Sequence, residues 1–165
     1  MDENREYAQS ITLRAVTPAD QSFLLTVFTS TRTAELAALG WDSAQSQAFI
    51  QMQFNAQQQN YSARYPAAEN NIILLGEQPI GRILVERTQP AIELVDIALL
   101  PEHRSSGIGS FLICGLLDEA RAARKSVRLS VYKLNPAVRL YERLGFSQTA
   151  EDAVYFEMTW APAES

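Results

Sequence analysis

Cysteine and histidine are almost absent from this chain of 165 residues, which contains one of each. A single thiol cannot form an internal disulfide, and Cys114 falls inside a predicted helix, where we expect a small core residue rather than a catalytic thiol. Because His103 is the only imidazole, no histidine and cysteine cluster has the spacing of a metal centre. We therefore expect a site without a metal ion.

Long apolar runs and an excess of positive charge are also missing. No stretch of about 18 apolar residues occurs, which argues against a membrane span, and the polar, acidic residues 1–10 predict no apolar leader. A net charge of −5 argues against a broad nucleic-acid surface and is compatible with a cationic substrate such as an amine. Hydrophobic residues make up 47% of the chain, which excludes disorder. We expect one cytoplasmic domain over residues 1–165, with a structured core at about 11–161 and neither nucleic acid nor membrane as a partner.

Near the middle of the chain, a short loop of small residues joins a predicted strand to a predicted helix. Residues 104–109 read R-x-x-G-x-G, after the mostly apolar residues 92–100 and before an amphipathic stretch that begins at Ile108. Small residues allow successive backbone N–H groups to face one point, and the helix behind them adds the positive end of its dipole. This pattern favours a phosphate-bearing ligand. The alternative is a glycine-rich turn that only links strand to helix.

Two other phosphate-binding loops are disfavoured. No Gly-Lys-Ser or Gly-Lys-Thr occurs, which excludes a Walker loop. In a dinucleotide-binding loop the third glycine position would be Leu112, whose side chain is too large for close helix–strand packing. The next predicted strand, residues 127–131, ends in Tyr132 and Lys133 and lacks the acid that would bind a ribose. A nucleotide-dependent oxidoreductase is therefore disfavoured.

The predicted elements follow an order without repeats or a linker. Strands are expected at residues 11–16, 71–75, 80–87, 92–100, 127–131, 145–149 and 154–160, and helices after Pro18, from Asp42 or Ser43, after Ile108 and near residues 136–144. Such interleaving predicts an α+β sheet with helices on both faces.

The segment from residue 43 to residue 63 carries no charge and is rich in glutamine. Its pattern predicts an amphipathic helix with Phe49, Met52 and Ala56 on one stripe, Ile50 and Phe54 beside it, and an amide surface. The alternative is that this helix walls a substrate groove or a contact between subunits.

A second informative segment, residues 135–146, reads N-P-A-V-R-L-Y-E-R-L-G-F. Asn135 is suited to cap a helix, Pro136 to its first position, and Gly145 to end it in a left-handed conformation. Tyr141 lies on the apolar face of that helix, and in isolation it is most simply a core residue.

Together the two motifs resemble those of the Gcn5-related N-acetyltransferase (GNAT) superfamily. Arg104-x-x-Gly107-x-Gly109 matches the acyl-CoA pyrophosphate motif, and Asn135 followed by residues 141–146 matches the second cofactor motif. The resemblance covers about residues 92–146, whereas the first ninety residues fit only in the order of their elements. It implies a single α+β domain whose mixed, mostly antiparallel twisted sheet has about six or seven strands, helices on both faces and a splay between strands 4 and 5.

The resemblance also implies an activity. A GNAT protein is an acetyl-CoA-dependent N-acetyltransferase, in which a primary amine attacks the thioester directly through a tetrahedral intermediate. Acetyl-CoA is then the acyl donor, no metal takes part, and the acceptor is a small-molecule or peptide amine. A homodimer is compatible with this interpretation. The alternative is an acyl-CoA-binding module without turnover that acts through a partner.

By the same resemblance, roles are implied for particular residues. The pantetheine arm lies in the splay beside the backbone of strand 4, the loop amides bind the pyrophosphate, an asparagine meets the pantetheine, and a tyrosine protonates the departing thiolate. The implied cofactor-binding residues are Ile97, Ala98, Leu99, Arg104, Ser105, Ser106, Gly107, Ile108, Gly109, Ser110, Asn135 and Tyr141. Tyr141 is also the implied catalytic acid.

The catalytic base is not fixed by the motifs. Ser130 stands where some relatives have a glutamate, and a serine cannot act as a base unaided. Asp96 and Glu93 are the nearest acids, expected on opposite faces of their strand by alternation. We take Asp96 as the candidate base, because burial among apolar neighbours would raise its pKa. The alternatives are a structural carboxylate satisfied by hydrogen bonds, and a water relay without a dedicated base.

The acceptor is not fixed either. The region that covers the acceptor in GNAT proteins corresponds here to Trp41, Phe49, Met52, Gln53 and Tyr61, which do not select among amines. His103 adjoins the glycine loop, and we expect it at the surface or at the edge of the phosphate site.

Overall fold

The computed structural model describes residues 10–164, which form a central sheet with helices on both faces. The strands are β1 (Ile11–Ala15), β2 (Glu69–Leu75), β3 (Gln78–Arg87), β4 (Ala91–Leu99), β5 (Ser126–Tyr132), β6 (Ser147–Glu151) and β7 (Tyr155–Trp160). The helices are α1 (Gln21–Ser30), α2 (Thr33–Leu39), α3 (Ser43–Arg64), α4 (Ile108–Ala123) and α5 (Ala137–Arg143), with short 3-10 turns at Pro18–Asp20 and Pro101–His103. The seven predicted strands are confirmed to within two residues at each end, whereas α2 is not among the predicted helices.

The strands form one seven-stranded sheet in the order β1-β2-β3-β4-β5-β7-β6. Neighbouring strands are antiparallel except for β4 and β5, which are parallel. A parallel neighbour needs a crossover, and α4 supplies it between the two strands. The predicted fold class, a mixed and mostly antiparallel α+β sheet, is confirmed.

The two parallel strands separate after a short paired stretch. Their pairing runs from Ala91 opposite Ser126 to Leu94 opposite Leu129 and stops there, although both strands continue. At the same point β4 contains a bulge, because its register against β3 passes from Leu94 to Asp96 and leaves Val95 without a partner. The predicted splay between strands 4 and 5 is therefore confirmed, and it leaves an open gap at one edge of β4.

The core has two layers. On one face of the sheet α4 packs with Ile113, Leu116 and Ala120 against buried strand residues such as Leu94. On the other face α1 and α3 pack a smaller cluster, comprising Leu24, Phe28, Ile50, Phe54 and Ile72. Each of these larger side chains stabilises the fold by about 1.5–3 kcal/mol on burial, so both faces hold the splayed strands in place.

Two expectations about the helices are wrong. In α3 the buried residues are Ile50 and Phe54, an i, i+4 pair through which the helix packs against α1 and β2. The side chain of Met52, which was predicted on the apolar stripe, is 60% exposed. Cys114 is exposed and is not a core residue, since the core-facing side of α4 is made by its neighbours Ile113, Leu116 and Leu117.

The close approach of β3 to β4 depends on Gly81. A Cβ atom at this position would lie 2.2 Å from the carbonyl oxygen of Ala98 in β4, a contact that the backbone can relieve only by moving. We expect Gly81→Ala to lower the free energy of unfolding by roughly 1–3 kcal/mol, measured by urea denaturation. Gly115→Ala is the control, because nothing lies within 4 Å of its added Cβ, and a helical alanine stabilises by up to about 1 kcal/mol. Equal stability changes in the two variants would contradict this packing.

Candidate active site

The glycine loop between β4 and α4 presents a run of free backbone donors. Just before this run, the N–H of Arg104 donates to the carbonyl of Pro101, and just after it, the N–H of Phe111 donates to the carbonyl of Gly107. The N–H groups of residues 105–110 donate no hydrogen bond to any atom within residues 10–164. Ser105 and Gly107 have φ values of 59° and 89°, and these left-handed turns allow successive amides to converge. A row of free amides at the N-terminus of a 16-residue helix has the donors and the dipole direction that suit an anion.

Arg104 fixes this loop in place. Its Nε donates to the carbonyl of Leu99 at 2.9 Å, and its Nη2 donates to the hydroxyl of Ser30 at 3.0 Å. The loop is further closed by the hydroxyl of Ser106, which donates to the carbonyl of His103 at 2.7 Å. The guanidinium thus joins the loop to β4 and to the end of α1, and the backbone amides are left as the main anion donors.

A cleft of about 100 Å³ lies in the gap where β4 and β5 separate. It is lined by Leu94, Val95, Asp96, Ile97, Leu129, Ser130, Val131, Tyr132, Asn135 and Tyr141. The fold therefore brings together Asn135 and Tyr141 of the second motif and the candidate base Asp96, whereas no residue of the glycine loop lines this cleft. The lining residues are up to 47 positions apart in the sequence, from Leu94 to Tyr141.

The edge of β4 that faces the gap offers backbone groups for pairing. The N–H of Leu100 donates to Ile80 in β3, so alternation directs the backbone groups of Ala98 towards β3 as well. Those of Ile97 and Leu99 then point into the gap, where an extended ligand could pair with them as an added strand. The carbonyl of Leu99 already accepts from Arg104.

Tyr141 lies at the base of this cleft, on α5. The helix begins where the Oδ1 of Asn135 accepts from the N–H of Ala137 at 2.9 Å, and Gly145, at φ 101°, follows its end. The ring of Tyr141 is buried edge-to-face against Phe146 at 5.8 Å. Burial raises the pKa of the Tyr141 hydroxyl to about 12, and the nearby Asp96 charge adds to the effect. The hydroxyl is therefore protonated, and able to donate, at neutral pH.

Asp96 lies on β4 directly after the bulge. Its side chain is 24% exposed, and burial raises the pKa of its carboxyl above the usual range. The positive charges of Arg82 and Arg32 oppose this rise, as does a hydrogen bond from the backbone of Ile97. A carboxylate with a raised pKa beside a tyrosine gives the cleft one group that can accept a proton and one that can donate it.

The expectation that Glu93 and Asp96 lie on opposite faces is wrong. Glu93 is opposite Glu86 and Asp96 is opposite Leu84, two positions on the same face of β3, because the bulge at Val95 shifts the alternation by one. Glu93 pairs with Arg128 at 2.7 Å, and Asp96 is left as the acid that lines the cleft.

Three further residues surround Asp96, of which only Tyr61 was anticipated from the sequence. Arg82, in β3, is 3% exposed; its Nη2 donates to Asn70 at 2.9 Å and its guanidinium lies 5.8 Å from the Tyr61 ring centre. Burial and the Asp96 charge raise the pKa of Tyr61. A charged residue inside the apolar stretch of residues 80–85 is a signal that could have identified Arg82. Arg32, between α1 and α2, carries no comparable signal.

The other residues predicted near the acceptor are placed on α3 and before it. Trp41 and Phe49 pack edge-to-face at 5.1 Å, Met52 is exposed and Gln53 is half-buried. Their contact with an acceptor stays a prediction. In the part of the chain from residue 10 to residue 164, no helix has the length and apolar character needed to span a membrane.

Comparisons with known proteins agree with this geometry. Residues 32–146 match the model of the acetyltransferase (GNAT) family. Among solved structures, the PaiA N-acetyltransferase of Thermoplasma acidophilum in complex with coenzyme A is similar, with a TM-score of 0.68 at 19% identity over 92% of this chain and 99% of that one. Ard1 from Thermoplasma volcanium gives a TM-score of 0.64 at 19% identity, over 94% of this chain and 99% of its own.

A third similar structure is the histone acetyltransferase HPA2 and related acetyltransferase from Corynebacterium glutamicum, with a TM-score of 0.64 at 21% identity over 94% of this chain and 98% of that one. A search of curated proteins gives no match. The solved structures share the fold, and the family match extends from the end of α1 to Phe146, just beyond α5. A chain with this match, this splayed sheet and this glycine loop belongs to the GNAT acetyltransferase family.

Proposed function

We propose that this protein is an acetyl-CoA-dependent N-acetyltransferase that acts on a primary amine. The observation that carries the proposal is the row of free amides at residues 105–110, in the loop that follows β4, the strand that also lines the cleft containing Tyr141 and Asp96. The amides suit the pyrophosphate of the acyl donor, and the backbone of Ile97 and Leu99 suits its pantetheine arm. The complex of PaiA with coenzyme A supports acetyl-CoA as that donor.

The residues of the cleft match the proton balance of this reaction. The amine nitrogen forms a bond to the thioester carbon, the carbon–sulfur bond breaks, and one proton must leave nitrogen while one reaches sulfur. In this proposal Asp96 takes the first proton, directly or through water, and Tyr141 gives the second. A thiol has a pKa of about 8.5 and Tyr141 one of about 12, so proton transfer from Tyr141 to the sulfur is unfavourable by itself and must be coupled to cleavage of the carbon–sulfur bond.

Acetyl transfer to a panel of amines tests the proposal. The protein is incubated with acetyl-CoA and representatives of the acceptor classes: a polyamine, free amino acids, an aminoglycoside and short peptides. Released thiol is measured, and products are identified by a mass increase of one acetyl group. We expect turnover with at least one class. If acetyl-CoA binds, as measured by calorimetry, and no amine is acetylated, the chain is an acyl-CoA-binding module instead.

Asp96→Asn tests the base. A carboxyl with a raised pKa is deprotonated, and so able to accept a proton, only as the pH rises through that pKa. The rate of the parent enzyme should therefore rise with pH over this range, whereas Asp96→Asn should lose this limb of the profile together with roughly 10²-fold or more of kcat. Glu93→Gln is the control, because that acid is paired with Arg128. A pH–rate profile that Asp96→Asn leaves unchanged would remove Asp96 as the base.

A further inference from the structure

Two arginines lie around Asp96 where one would suffice to balance its charge. Arg82 approaches it from β3, with its Nε 4.0 Å from the Oδ2 of Asp96. Arg32 follows α1, which packs against β3 and β4, and its positive charge, like that of Arg82, opposes the rise in the pKa of Asp96 and of Tyr61. These two guanidinium groups are the charges that oppose the rise in the pKa of Asp96, in a chain whose net charge is −5.

Both arginines also have a donor without an acceptor. The Nε atoms of Arg82 and Arg32 are buried and receive no hydrogen-bond partner among residues 10–164. Arg32 makes a weak ion pair, 3.6 Å from Glu35, in which both members are substantially exposed, and its guanidinium lies 5.0 Å from the centre of the Phe28 ring, which offers no hydrogen-bond acceptor to Nε. A buried guanidinium N–H without an acceptor is unfavourable, and an oxyanion that reached it would remove the penalty.

Resting on the function proposed above, we infer that the acceptor is an amine that carries a carboxylate, in particular a free α-amino acid. The amine belongs beside Asp96, which accepts its proton, and the carboxylate beside Arg32. A third of the Arg32 side chain is exposed, so a ligand reaches it first, whereas Arg82 lies beneath and balances Asp96. The planar fork of a guanidinium matches a carboxylate in shape and charge. A polyamine has several positive charges and no anionic group, so two guanidinium groups at the same place disfavour it.

Binding by calorimetry to the protein saturated with coenzyme A tests this inference without depending on turnover. The probes are the twenty L-amino acids, the α-amide and decarboxylated amine of each one that binds, and spermidine. We expect at least one amino acid to bind tenfold or more tightly than its amide and its decarboxylated amine. Equal affinity for these three forms, tighter binding of spermidine, or no binding of any amino acid would each overturn the inference.

Variants of Arg32 assign the carboxylate site. Arg32→Gln should weaken amino-acid binding at least tenfold and abolish the preference for the carboxylate form, while affinity for coenzyme A stays unchanged. Arg64→Gln is the matched control, since Arg64 is an exposed arginine on α3 that has no part in the Asp96 cluster. A preference that survives in Arg32→Gln would overturn the assignment.

Measurements of turnover distinguish a failure of this inference from a failure of the proposed function. Acetylation of spermidine or of an amide as fast as of any amino acid would overturn the inference and leave the acetyltransferase activity standing. Carboxylate-dependent binding of an amino acid that is never acetylated would support the recognition described here and count against the proposed transfer.

Discussion

Gly107→Asp should reduce the affinity for acetyl-CoA by at least about 10²-fold while the protein stays folded. Gly107 has φ 89° and is the residue before the first turn of α4, in the middle of the free amides. Aspartate tolerates this left-handed conformation better than most side chains, so the backbone should keep its path. Its carboxylate, however, would lie beside the pyrophosphate. Two like charges about 4 Å apart repel by about 4 kcal/mol near a protein surface, which corresponds to roughly a thousandfold in affinity.

The control for charge is Gly107→Asn, which has almost the same shape and the same tolerance of a positive φ. It should bind acetyl-CoA far better than Gly107→Asp, and both variants should show the parent's unfolding midpoint within a few degrees. Titration calorimetry measures the affinity, and circular dichroism checks the fold. Undiminished binding of acetyl-CoA by Gly107→Asp would show that the diphosphate is held elsewhere, and the functional proposal would lose its main support.

Tyr141→Phe should lower kcat by roughly 10²-fold or more and leave the dissociation constant of acetyl-CoA nearly unchanged. The hydroxyl makes no hydrogen bond to any side chain or backbone group within residues 10–164, and phenylalanine keeps the edge-to-face contact with Phe146, so the change removes a proton donor and little else. Because the pKa of Tyr141 is raised to about 12, the parent enzyme should lose no activity through ionisation of this group between neutral pH and pH 10.

Tyr132→Phe is the control for Tyr141, since Tyr132 lines the same cleft but is 42% exposed at its rim. We expect its turnover to stay within a few-fold of the parent. Steady-state kinetics with a saturating acceptor, together with calorimetry of acetyl-CoA, separates catalysis from binding. If Tyr141→Phe and the parent turn over equally fast, another group or water protonates the leaving sulfur.

The parts of the site that sequence reasoning anticipated are local ones. The glycine loop and the left-handed Gly145 follow from the conformational preferences of a few neighbouring residues, and the structure places them as those preferences predict. The start of α5 is one residue later than predicted, with Pro136 at the N-cap, although the Asn135 side chain does accept from the N–H of Ala137. The strands were recognised for the same reason, since their apolar patterns are contained within single segments. The splay was implied by resemblance and not by any pattern in the strands.

What escaped prediction depends on contacts between distant segments. The bulge at Val95 has no sequence signal of its own, and it reverses the alternation that was used to place Glu93 and Asp96. Arg82 approaches Asp96 because β3 and β4 are paired, and Arg32 does so only because the end of α1 lies over the sheet. Cys114 was misplaced because helical periodicity gives the buried face of α4 to within one residue, and one residue decides exposure.

The extra residue in β4 has a consequence for how this architecture could change. Removing Val95 would restore one-to-one pairing with β3 and take away the distortion at the point where pairing with β5 stops, while Asp96 would stay opposite Leu84 and keep its face of the sheet. A single codon deletion would thus narrow the proposed acyl channel and leave the proposed proton acceptor in place. The opening of the pocket and its acidic group can therefore change independently of each other.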